Sequence, residues 1–446
     1  MSVHFPRLMG NDIKVPVYDG TILPYLNLDN SATTPPFEQV FNKVKEILPL
    51  YGSVHRGCGY KSIYSTTVYE EAIDIILDFA DSDKSNDILI FGVNATDCIN
   101  HLARRIDFKE NEFVIVSESE HTSNVLPWQK MAEVLSCKCD DNDVFDLNHL
   151  EFLLKTNNVR IVSVTGASNI SGKITNLDPI AILTHKYGAE ICVDGSQLAG
   201  HRKIKRGNIE SSTHIDYFVF SAHKMYAPFG VGALVGNKQI FEKGWPDMVG
   251  GGTVKWLDSN DIIWSETTKR ENGGTPNYVG AVALAEACKV IESIGYDKIL
   301  LHESKLINQA HNSFKDIPAL RLVEDIEINL EKQIPIFSFH INDYSHSIVG
   351  AFLGFEKAIG VRTGILCQFH YLQKFFPKSE EYFEQIKNNL NAGINTSNDF
   401  GLTRASCGLG NTPNDIVRLA DSIKELIDSG TKVKYKIDTN GLYIPT

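Results

Sequence analysis

The chain has 446 residues, 43% of them hydrophobic and 22% charged, so it is long enough for two or three domains with sizeable cores and is unlike a disordered protein. Its 43 basic and 55 acidic side chains give a formal net charge of -12, which disfavours nucleic acid and anionic membranes as partners. No stretch approaches the ~20 apolar residues that span a bilayer, and the N-terminal segment does not resemble a signal peptide, so we expect a soluble, cytoplasmic protein.

The eight cysteines are scattered along the chain and form no CxxC pair. In a chain of this length, such a pattern predicts neither a disulfide framework nor a zinc site. We therefore expect no metal centre.

Short apolar runs follow one another in the first half of the chain, at residues 88–91, 113–116, 161–164, 191–193 and 217–220. They lack polar alternation and end in polar or glycine-rich turns, which is typical of buried parallel strands. The segment 177–187 has the pattern of a helix, with Asp178 and Pro179 at its start and Gly188 after its end. Alternating strands and helices predict an α/β fold with a mostly parallel sheet.

The pattern changes in the last third of the chain. We predict a helix there, followed by a strand at 334–341, a helix at 346–359 and a helix at 412–427 with Thr412 as N-cap. The tail after Gly430 alternates and contains Asn440-Gly441, which predicts a terminal hairpin. These elements indicate a smaller α+β domain.

The chemistry is expected at the carboxyl ends of the predicted strands, where open α/β sheets bind ligands. Lys224 lies just after the run 217–220, a position suited to a Schiff base, with a solvent-exposed lysine as the alternative. Asp194 ends the run 191–193 and, if buried, needs a cationic partner. A protonated pyridine nitrogen is such a partner in pyridoxal phosphate enzymes, and a helix N-cap is the other role open to this aspartate.

Two further strand ends carry polar residues. The segment 94–97 follows the run 88–91 and starts a helical pattern, so its backbone N–H groups and the Thr96 hydroxyl predict an anion site suited to a cofactor phosphate. His121 follows the run 113–116 and is placed either to stack over a planar cofactor and carry protons or to serve as a hydrogen-bonded loop histidine.

Ordered motifs along nearly the whole chain resemble those of the class V aminotransferase family. Within that family the chain is most similar to cysteine desulfurases of the NifS/SufS/CsdA type. The motifs are Leu28-Asp29-Asn30-Ser31-Ala32-Thr33-Thr34, Val54-His55-Arg56-Gly57, Glu120-His121-Thr122-Ser123-Asn124, Ser168-Asn169-Ile170-Ser171-Gly172, Asp194-Gly195-Ser196-Gln197, Ser221-Ala222-His223-Lys224, Glu271-Asn272-Gly273-Gly274-Thr275-Pro276-Asn277, Val361-Arg362-Thr363-Gly364, Arg404-Ala405-Ser406 and Asn411-Thr412.

The resemblance implies the pyridoxal phosphate-dependent transferase fold of type I, with a mostly parallel central sheet in a large α/β domain and a smaller C-terminal α+β domain. It places an N-terminal segment at 1–28 that packs with the small domain, the large cofactor-binding domain at 29–300 and the small domain at 301–446. It also implies a homodimer.

The resemblance assigns the cofactor site residue by residue. It implies that Lys224 binds pyridoxal 5'-phosphate covalently, that Asp194 pairs with the pyridine nitrogen and that Gln197 faces the ring hydroxyl. His121 is implied to stack on the ring as a catalytic residue, and Asn169 to lie beside the ring and the substrate. The implied phosphate ligands are Ala95, Thr96, Ser221 and His223, with Gly274 and Thr275 contributed by the partner subunit.

On the substrate side, the resemblance implies that Arg404 binds the α-carboxylate of an amino acid, with Arg362 nearby. Cys367, five residues after Arg362, occupies the position of the desulfurase nucleophile, with a packed apolar cysteine as the alternative. Ile365 and Leu366 stand where such desulfurases usually carry two histidines.

The leading interpretation is therefore a desulfurase-like enzyme or carbon–sulfur lyase that cleaves the C–S bond of L-cysteine or a cysteine derivative. A sulfur acceptor protein is then a further partner. The alternative is a class V aminotransferase or another pyridoxal phosphate-dependent eliminase of a biosynthetic pathway, in which Cys367 is structural. A non-catalytic binding protein is disfavoured, because a scaffold needs none of the site residues in register. Substrate specificity is expected of loops around Tyr60, Lys61, Trp256 and Trp264.

Overall fold

The computed structural model describes residues 5–55, 57–140, 145–329, 331–368, 372–373, 375–376, 379–392, 400–438 and 443–446. Arg56 and the predicted turn at Asn440-Gly441 lie outside these residues. The chain divides into two compact units. The large unit comprises Thr34–Ala167 and Thr175–Tyr296, and the small unit comprises Met1–Thr33, Ser168–Ile174 and Asp297–Thr446.

The strands of the described chain are short, and most belong to one sheet in each unit. In chain order they are β1 (Lys14–Pro16), β2 (Ile22–Pro24), β3 (Leu26–Asn27), β4 (Asp87–Gly92), β5 (Phe113–Ser117), β6 (Glu133–Cys137), β7 (Val159–Thr165), β8 (Glu190–Asp194), β9 (Tyr217–Ser221), β10 (Gly232–Asn237), β11 (Val254–Leu257), β12 (Ile262–Trp264), β13 (Leu320–Leu322), β14 (Ile336–Ile341), β15 (Ile359–Gly360), β16 (Arg362–Gly364), β17 (Leu402–Ser406), β18 (Tyr435–Ile437) and β19 (Tyr443–Pro445).

The α-helices of the described chain connect these strands or cover the sheets. They are α1 (Glu38–Ile47), α2 (Tyr60–Phe79), α3 (Ala95–Arg105), α4 (Leu126–Gln129), α5 (Leu147–Thr156), α6 (Leu177–Lys186), α7 (Thr267–Glu271), α8 (Tyr278–Ile294), α9 (Tyr296–Phe314), α10 (His346–Lys357), α11 (Glu380–Asn391) and α12 (Pro413–Ser429).

The large unit is built on a seven-stranded sheet of order β4-β10-β9-β8-β7-β5-β6. Strands β6, β5, β7, β8 and β9 pair in parallel, and β10 is antiparallel to both of its neighbours, β9 and β4. The predicted mostly parallel sheet is thus confirmed, and all five predicted runs form its strands. The sequence analysis did not predict β10, whose sequence GALVGN contains two glycines, or β6, a half-exposed edge strand.

The small unit is built on an antiparallel sheet of order β13-β14-β17-β16. Its core packs apolar residues of this sheet against α9, α10 and α12, including Leu306, Phe339, Phe352 and Ile416. The predicted smaller α+β domain is confirmed. Strand β3 pairs with β15, so the N-terminal residues join this unit.

Helix α12 begins as the sequence predicts. Thr412 is its N-cap and forms a capping box with Asp415, whose carboxylate accepts the Thr412 N–H at 2.8 Å. Helix α10, in contrast, ends at Lys357 instead of the predicted residue 359. Ala358 adopts a left-handed conformation that stops the helix, and the next two residues pair with β3. The tail forms the predicted antiparallel hairpin of β18 and β19.

None of the helices in the described part of the chain combines the length and the apolar composition needed to cross a membrane.

Candidate active site

Four strands of the large unit end at the same edge of its sheet. Strands β4, β5, β8 and β9 run in one direction, so their carboxyl ends lie at one edge, and each is followed by a polar segment. Most of the candidate cofactor residues predicted from the sequence end or follow these strands, whereas Asn169, Gly274 and Thr275 do not. This edge is where open α/β sheets bind ligands.

The start of α3 is joined to the end of β9. The Ala95 N–H donates to the Ser221 hydroxyl at 2.7 Å, and the Thr96 hydroxyl donates to the Ser123 hydroxyl at 2.8 Å. The residue before α3, Asn94, also lies close to Gly232 of β10. Only glycine fits there, because a Cβ on residue 232 would lie 2.3 Å from the Asn94 carbonyl carbon. Three hydroxyls and a helix N-terminus therefore converge, and such a donor set suits an anionic phosphate.

Asp194 is a buried carboxylate at the end of β8. It is 6% exposed and accepts the Ser196 N–H at 2.9 Å. Within the described ranges, no lysine, arginine or histidine forms an ion pair with Asp194, although a buried carboxylate normally requires a cationic partner. Gln197, three residues further on, is buried as well.

Lys224 ends a short 3-10 turn that follows β9 directly. The turn is fixed by Thr34, whose backbone N–H and hydroxyl both donate to the His223 carbonyl, at 2.9 and 3.2 Å. The Thr34 hydroxyl also accepts the Tyr226 N–H at 2.6 Å. Lys224 is half-buried. It is therefore not the solvent-exposed lysine that was the alternative from the sequence. Thr34 stands in the 28–34 motif, but no pattern in the sequence indicates these contacts.

His121 precedes the turn that follows β5. Its Nδ1 accepts the Ser123 N–H at 3.1 Å, which places the proton of the neutral ring on Nε2. The ring is half-buried. This hydrogen bond fixes both the tautomer and the orientation of the imidazole.

Glu120 lies beside His121 in a buried hydrogen-bond network. Its carboxyl accepts from the Ser117 hydroxyl, the Thr165 N–H and the Asn124 side-chain amide, each at 2.8 Å. Burial nevertheless raises the pKa of Glu120 to about 8, because loss of water outweighs these three donors. Sequence reasoning assigned no role to Glu120, and its position next to His121 was the only available signal.

Arg404 is the centre of a second polar group, in the small unit. It lies on β17 and is 3% exposed. Its Nη2 donates to Asp29 at 3.2 Å and its Nη1 to the Asn169 carbonyl at 3.0 Å, whereas its Nε has no partner in the part of the chain that the structure describes. Burial lowers the pKa of Arg404, and Asp29 opposes that effect. The exposed Arg362 also faces Asp29, at 3.8 Å.

Cys367 lies on the exposed loop after β16. Cys367 is therefore not the packed apolar cysteine that was the alternative from the sequence. Asn169 is buried in the same unit, and its side chain is bonded to residues on either side of Cys367.

The remaining predicted residues lie on exposed or half-exposed segments of the large unit. Gly274 and Thr275 lie on an exposed loop, with φ at +81° for Gly274. Tyr60 and Lys61 start α2 and are exposed, as is Trp256 on β11. Trp264 on β12 packs edge-on against Trp245. A cleft of about 520 Å³ between α2 and residues 252–276 includes His55 and Gly274 in its lining.

Comparisons with known proteins agree with these observations. A model of the family described as "Aminotransferase class-V" matches residues 26–419. A "Probable cysteine desulfurase" of Streptomyces coelicolor is 30% identical over 364 residues, which are 79% of this chain and 84% of that relative. A "Cysteine desulfurase" of Haloferax volcanii is 28% identical over 374 residues, 81% of this chain and 85% of that relative. The apo structure of a cysteine desulfurase from Thermococcus onnurineus NA1 matches with a TM-score of 0.78 and 27% identity, covering 90% of this chain and 94% of that chain.

The fold and these matches define an enzyme of the pyridoxal phosphate-dependent fold type I, as the sequence resemblance predicted. The chain belongs to the class V aminotransferase family. Within it, the chain is similar to proteins named as cysteine desulfurases.

The family implies pyridoxal phosphate, and the residues at the sheet edge fit this group. The buried Asp194, which forms no ion pair with a cation among the described residues, matches a protonated ring nitrogen. The hydroxyl of Ser221 at the end of β9 and that of Thr96 in the first turn of α3 match a phosphate. Lys224 follows Ser221 in the turn after β9 and supplies an amine for the covalent bond.

Proposed function

We propose that this chain is a pyridoxal phosphate-dependent cysteine desulfurase, which takes the sulfur of L-cysteine and leaves L-alanine. The observation that carries the proposal is the exposed Cys367 on a loop whose flanking residues bond Asn169, because the Asn169 carbonyl in turn accepts the buried Arg404. The names of the similar proteins support the choice of substrate.

The large unit holds the cofactor in this proposal. Lys224 binds it covalently, Asp194 pairs with the ring nitrogen and Gln197 faces the ring hydroxyl. Ala95, Thr96, Ser221 and His223 hold the phosphate, and His121 stacks on the ring. When bound, pyridoxal phosphate supplies an electron sink for the negative charge that develops at the substrate Cα.

The substrate is held by its carboxylate. Arg404 has a guanidinium whose planar donors match a carboxylate, and its buried Nε is the donor not used within the described protein. Asp29 holds the guanidinium in place through Nη2, and Arg362 adds positive charge at the exposed side of the same group. His121 exchanges a proton at Nε2, the nitrogen that carries it in the neutral ring.

Cys367 receives the sulfur. Its thiolate attacks the sulfur of the substrate, an S–S bond forms and the C–S bond of the substrate breaks, so that one L-cysteine and one thiol give one L-alanine and one persulfide. The carbon that loses sulfur gains a proton, and no external oxidant is needed.

We further propose a homodimer in which Thr275 and Gly274 reach the cofactor phosphate of the partner subunit. Their exposed position on the large unit supports this assignment. The persulfide on an exposed cysteine also allows transfer to a sulfur acceptor protein.

The test is incubation of the protein with L-cysteine and dithiothreitol, with alanine, pyruvate and sulfide quantified together. We expect alanine and sulfide in equal amounts, and loss of both in Cys367→Ala. Cys58→Ala is the matched control, because Cys58 is also exposed, and should keep full activity. Pyruvate with sulfide that survives Cys367→Ala would instead establish a β-eliminating lyase, and amino transfer without sulfide would establish an aminotransferase.

A further inference from the structure

The backbone around Cys367 has an unusual conformation. Leu366 and Cys367 have φ angles of 55° and 60°, in the left-handed region that residues other than glycine adopt at a cost. Two consecutive residues of this kind keep one shape only if surrounding contacts fix them. The loop therefore depends on its hydrogen bonds.

One side chain bonds the residues on both sides of Cys367. The Asn169 side-chain amide donates to the Leu366 carbonyl at 3.0 Å, and its oxygen accepts from Gln368 Nε2 at 2.7 Å. Asn169 is 6% exposed and Gln368 is 3% exposed, so water competes little for either bond. We call this pair of bonds the Asn169–Gln368 clamp.

The clamp is attached to the rest of the small unit. The Asn169 carbonyl accepts Arg404 Nη1 at 3.0 Å, so one residue contacts both the arginine and the cysteine loop. The Ser338 hydroxyl donates to the Ile170 carbonyl at 2.7 Å, and Gln333 Nε2 donates to the Ser171 carbonyl at 3.1 Å. The segment that carries Asn169 is thereby fixed to the neighbouring sheet.

The polarity of the clamp dictates the side chain at position 368. Asn169 must turn its NH₂ group toward the Leu366 carbonyl, which leaves its oxygen facing Gln368. Position 368 must therefore supply a donor. A glutamate has the same shape but donates only when it is protonated.

We propose that Gln368 is a positioning residue for the reaction: by donating to Asn169, it fixes the Cys367 thiol relative to Arg404. This inference rests on the proposed function. Gln368 touches no reacting atom and acts through the placement of Cys367. Since small displacements of a reacting group cost large factors in rate, loss of the clamp should lower the rate of sulfur removal more than the binding of L-cysteine.

The experiment compares Gln368→Ala and Gln368→Glu with the wild-type holoenzyme. Alanine formation gives kcat and KM from pH 5.5 to 9, and mass spectrometry of the Cys367 peptide gives the rate of its alkylation by iodoacetamide. The matched control is Gln309→Glu, since Gln309 lies in the same unit and its side-chain amide donates to the Ser313 hydroxyl within α9, outside the 168–174 segment.

For Gln368→Ala we expect kcat to fall about 10-fold or more with KM changed less than about 3-fold, and alkylation of Cys367 to change at least about 3-fold. Gln368→Glu should lose activity at pH 8 and regain part of it, relative to wild type, toward pH 5.5, where the carboxyl can donate. Gln309→Glu should keep the wild-type kcat and pH profile.

Wild-type alkylation and kcat in Gln368→Ala, or a wild-type pH profile in Gln368→Glu, would overturn the inference. The proposed function fails separately, if the wild-type protein itself forms no alanine. In that case the alkylation rates still decide whether Gln368 fixes the loop, because they require no turnover.

Discussion

Arg404 Nη2 donates to Asp29 Oδ1 at 3.2 Å inside the small unit, and this contact orients a buried guanidinium whose Nε has no partner within the described residues. A carboxylate thus holds the arginine by one edge of its guanidinium. Arginine is suited to this arrangement because its donors are fixed in one plane. A lysine at the same position would offer a single point charge.

A lysine at position 404 should therefore bind a substrate carboxylate less well than the arginine does. Arg404→Lys should lower kcat/KM for L-cysteine about 10- to 100-fold, mainly through KM, because charged hydrogen bonds of this kind contribute about 1.5–3 kcal/mol. Arg7→Lys is the control, since Arg7 is exposed and forms an ion pair with nearby Asp12. An unchanged KM would remove Arg404 from the substrate site.

Lys224 is predicted to be the single attachment point of the cofactor. Reduction of the holoenzyme with borohydride should add one pyridoxyl phosphate to the peptide that contains Lys224. Lys224→Ala should lose this adduct and all turnover, whereas the exposed Lys186→Ala should behave like wild type. An adduct on another lysine would show that the assignment is wrong.

Asp194→Asn should test the buried charge without changing the shape of the side chain. The amide oxygen can still accept the Ser196 N–H, so the local fold should remain. Loss of the negative charge should weaken pyridoxal phosphate binding or turnover about 10- to 100-fold, the range expected for a charge-assisted hydrogen bond. Asp178→Asn on the exposed side of α6 is the control. Wild-type affinity and rate in Asp194→Asn would mean that another group serves the ring nitrogen.

Glu120 should make stability depend on pH. Its pKa in the folded protein is raised to about 8 from 4.5, so the folded state retains a proton that the unfolded state loses. This contribution is complete below pH 4.5 and is lost as the pH rises through 8.

We therefore expect the Tm difference between Glu120→Gln and wild type to shift in favour of the variant as the pH is raised from 6 to 9. Thermal unfolding at fixed ionic strength measures it, with the exposed Glu110→Gln as control. A Tm difference that does not vary with pH would contradict the raised pKa.

The sequence predicted the strand ends that carry Asp194 and Lys224 better than it predicted the contacts around Arg404 and Cys367. Asp194 and Lys224 follow apolar runs whose burial is visible in the sequence, because strands covered on both faces are apolar throughout. Their common edge then follows from the parallel sheet. The predicted end of α10 was wrong because Ile359 and Gly360 pair with β3. No local sequence pattern indicates this contact.

The sequence could not predict the contacts around Cys367 for a similar reason. Asn169 and Gln368 are 199 positions apart, and Asp29 and Arg404 are 375 positions apart. Hydrogen bonds over such separations depend on the packing of whole sheets, which spacing and periodicity do not encode. The sequence showed only that Gln368 follows Cys367.

The chain enters and leaves the small unit more than once: Met1–Thr33, Ser168–Ile174 and Asp297–Thr446 all belong to it. During synthesis, strand β3 of the first segment cannot pair with β15 until the last segment has been made. No single cut therefore yields either unit as one uninterrupted polypeptide. A shortened version that ends before the final segment would keep Lys224 but would lack Arg404 and Cys367 as well as the pairing partner of its own N-terminus.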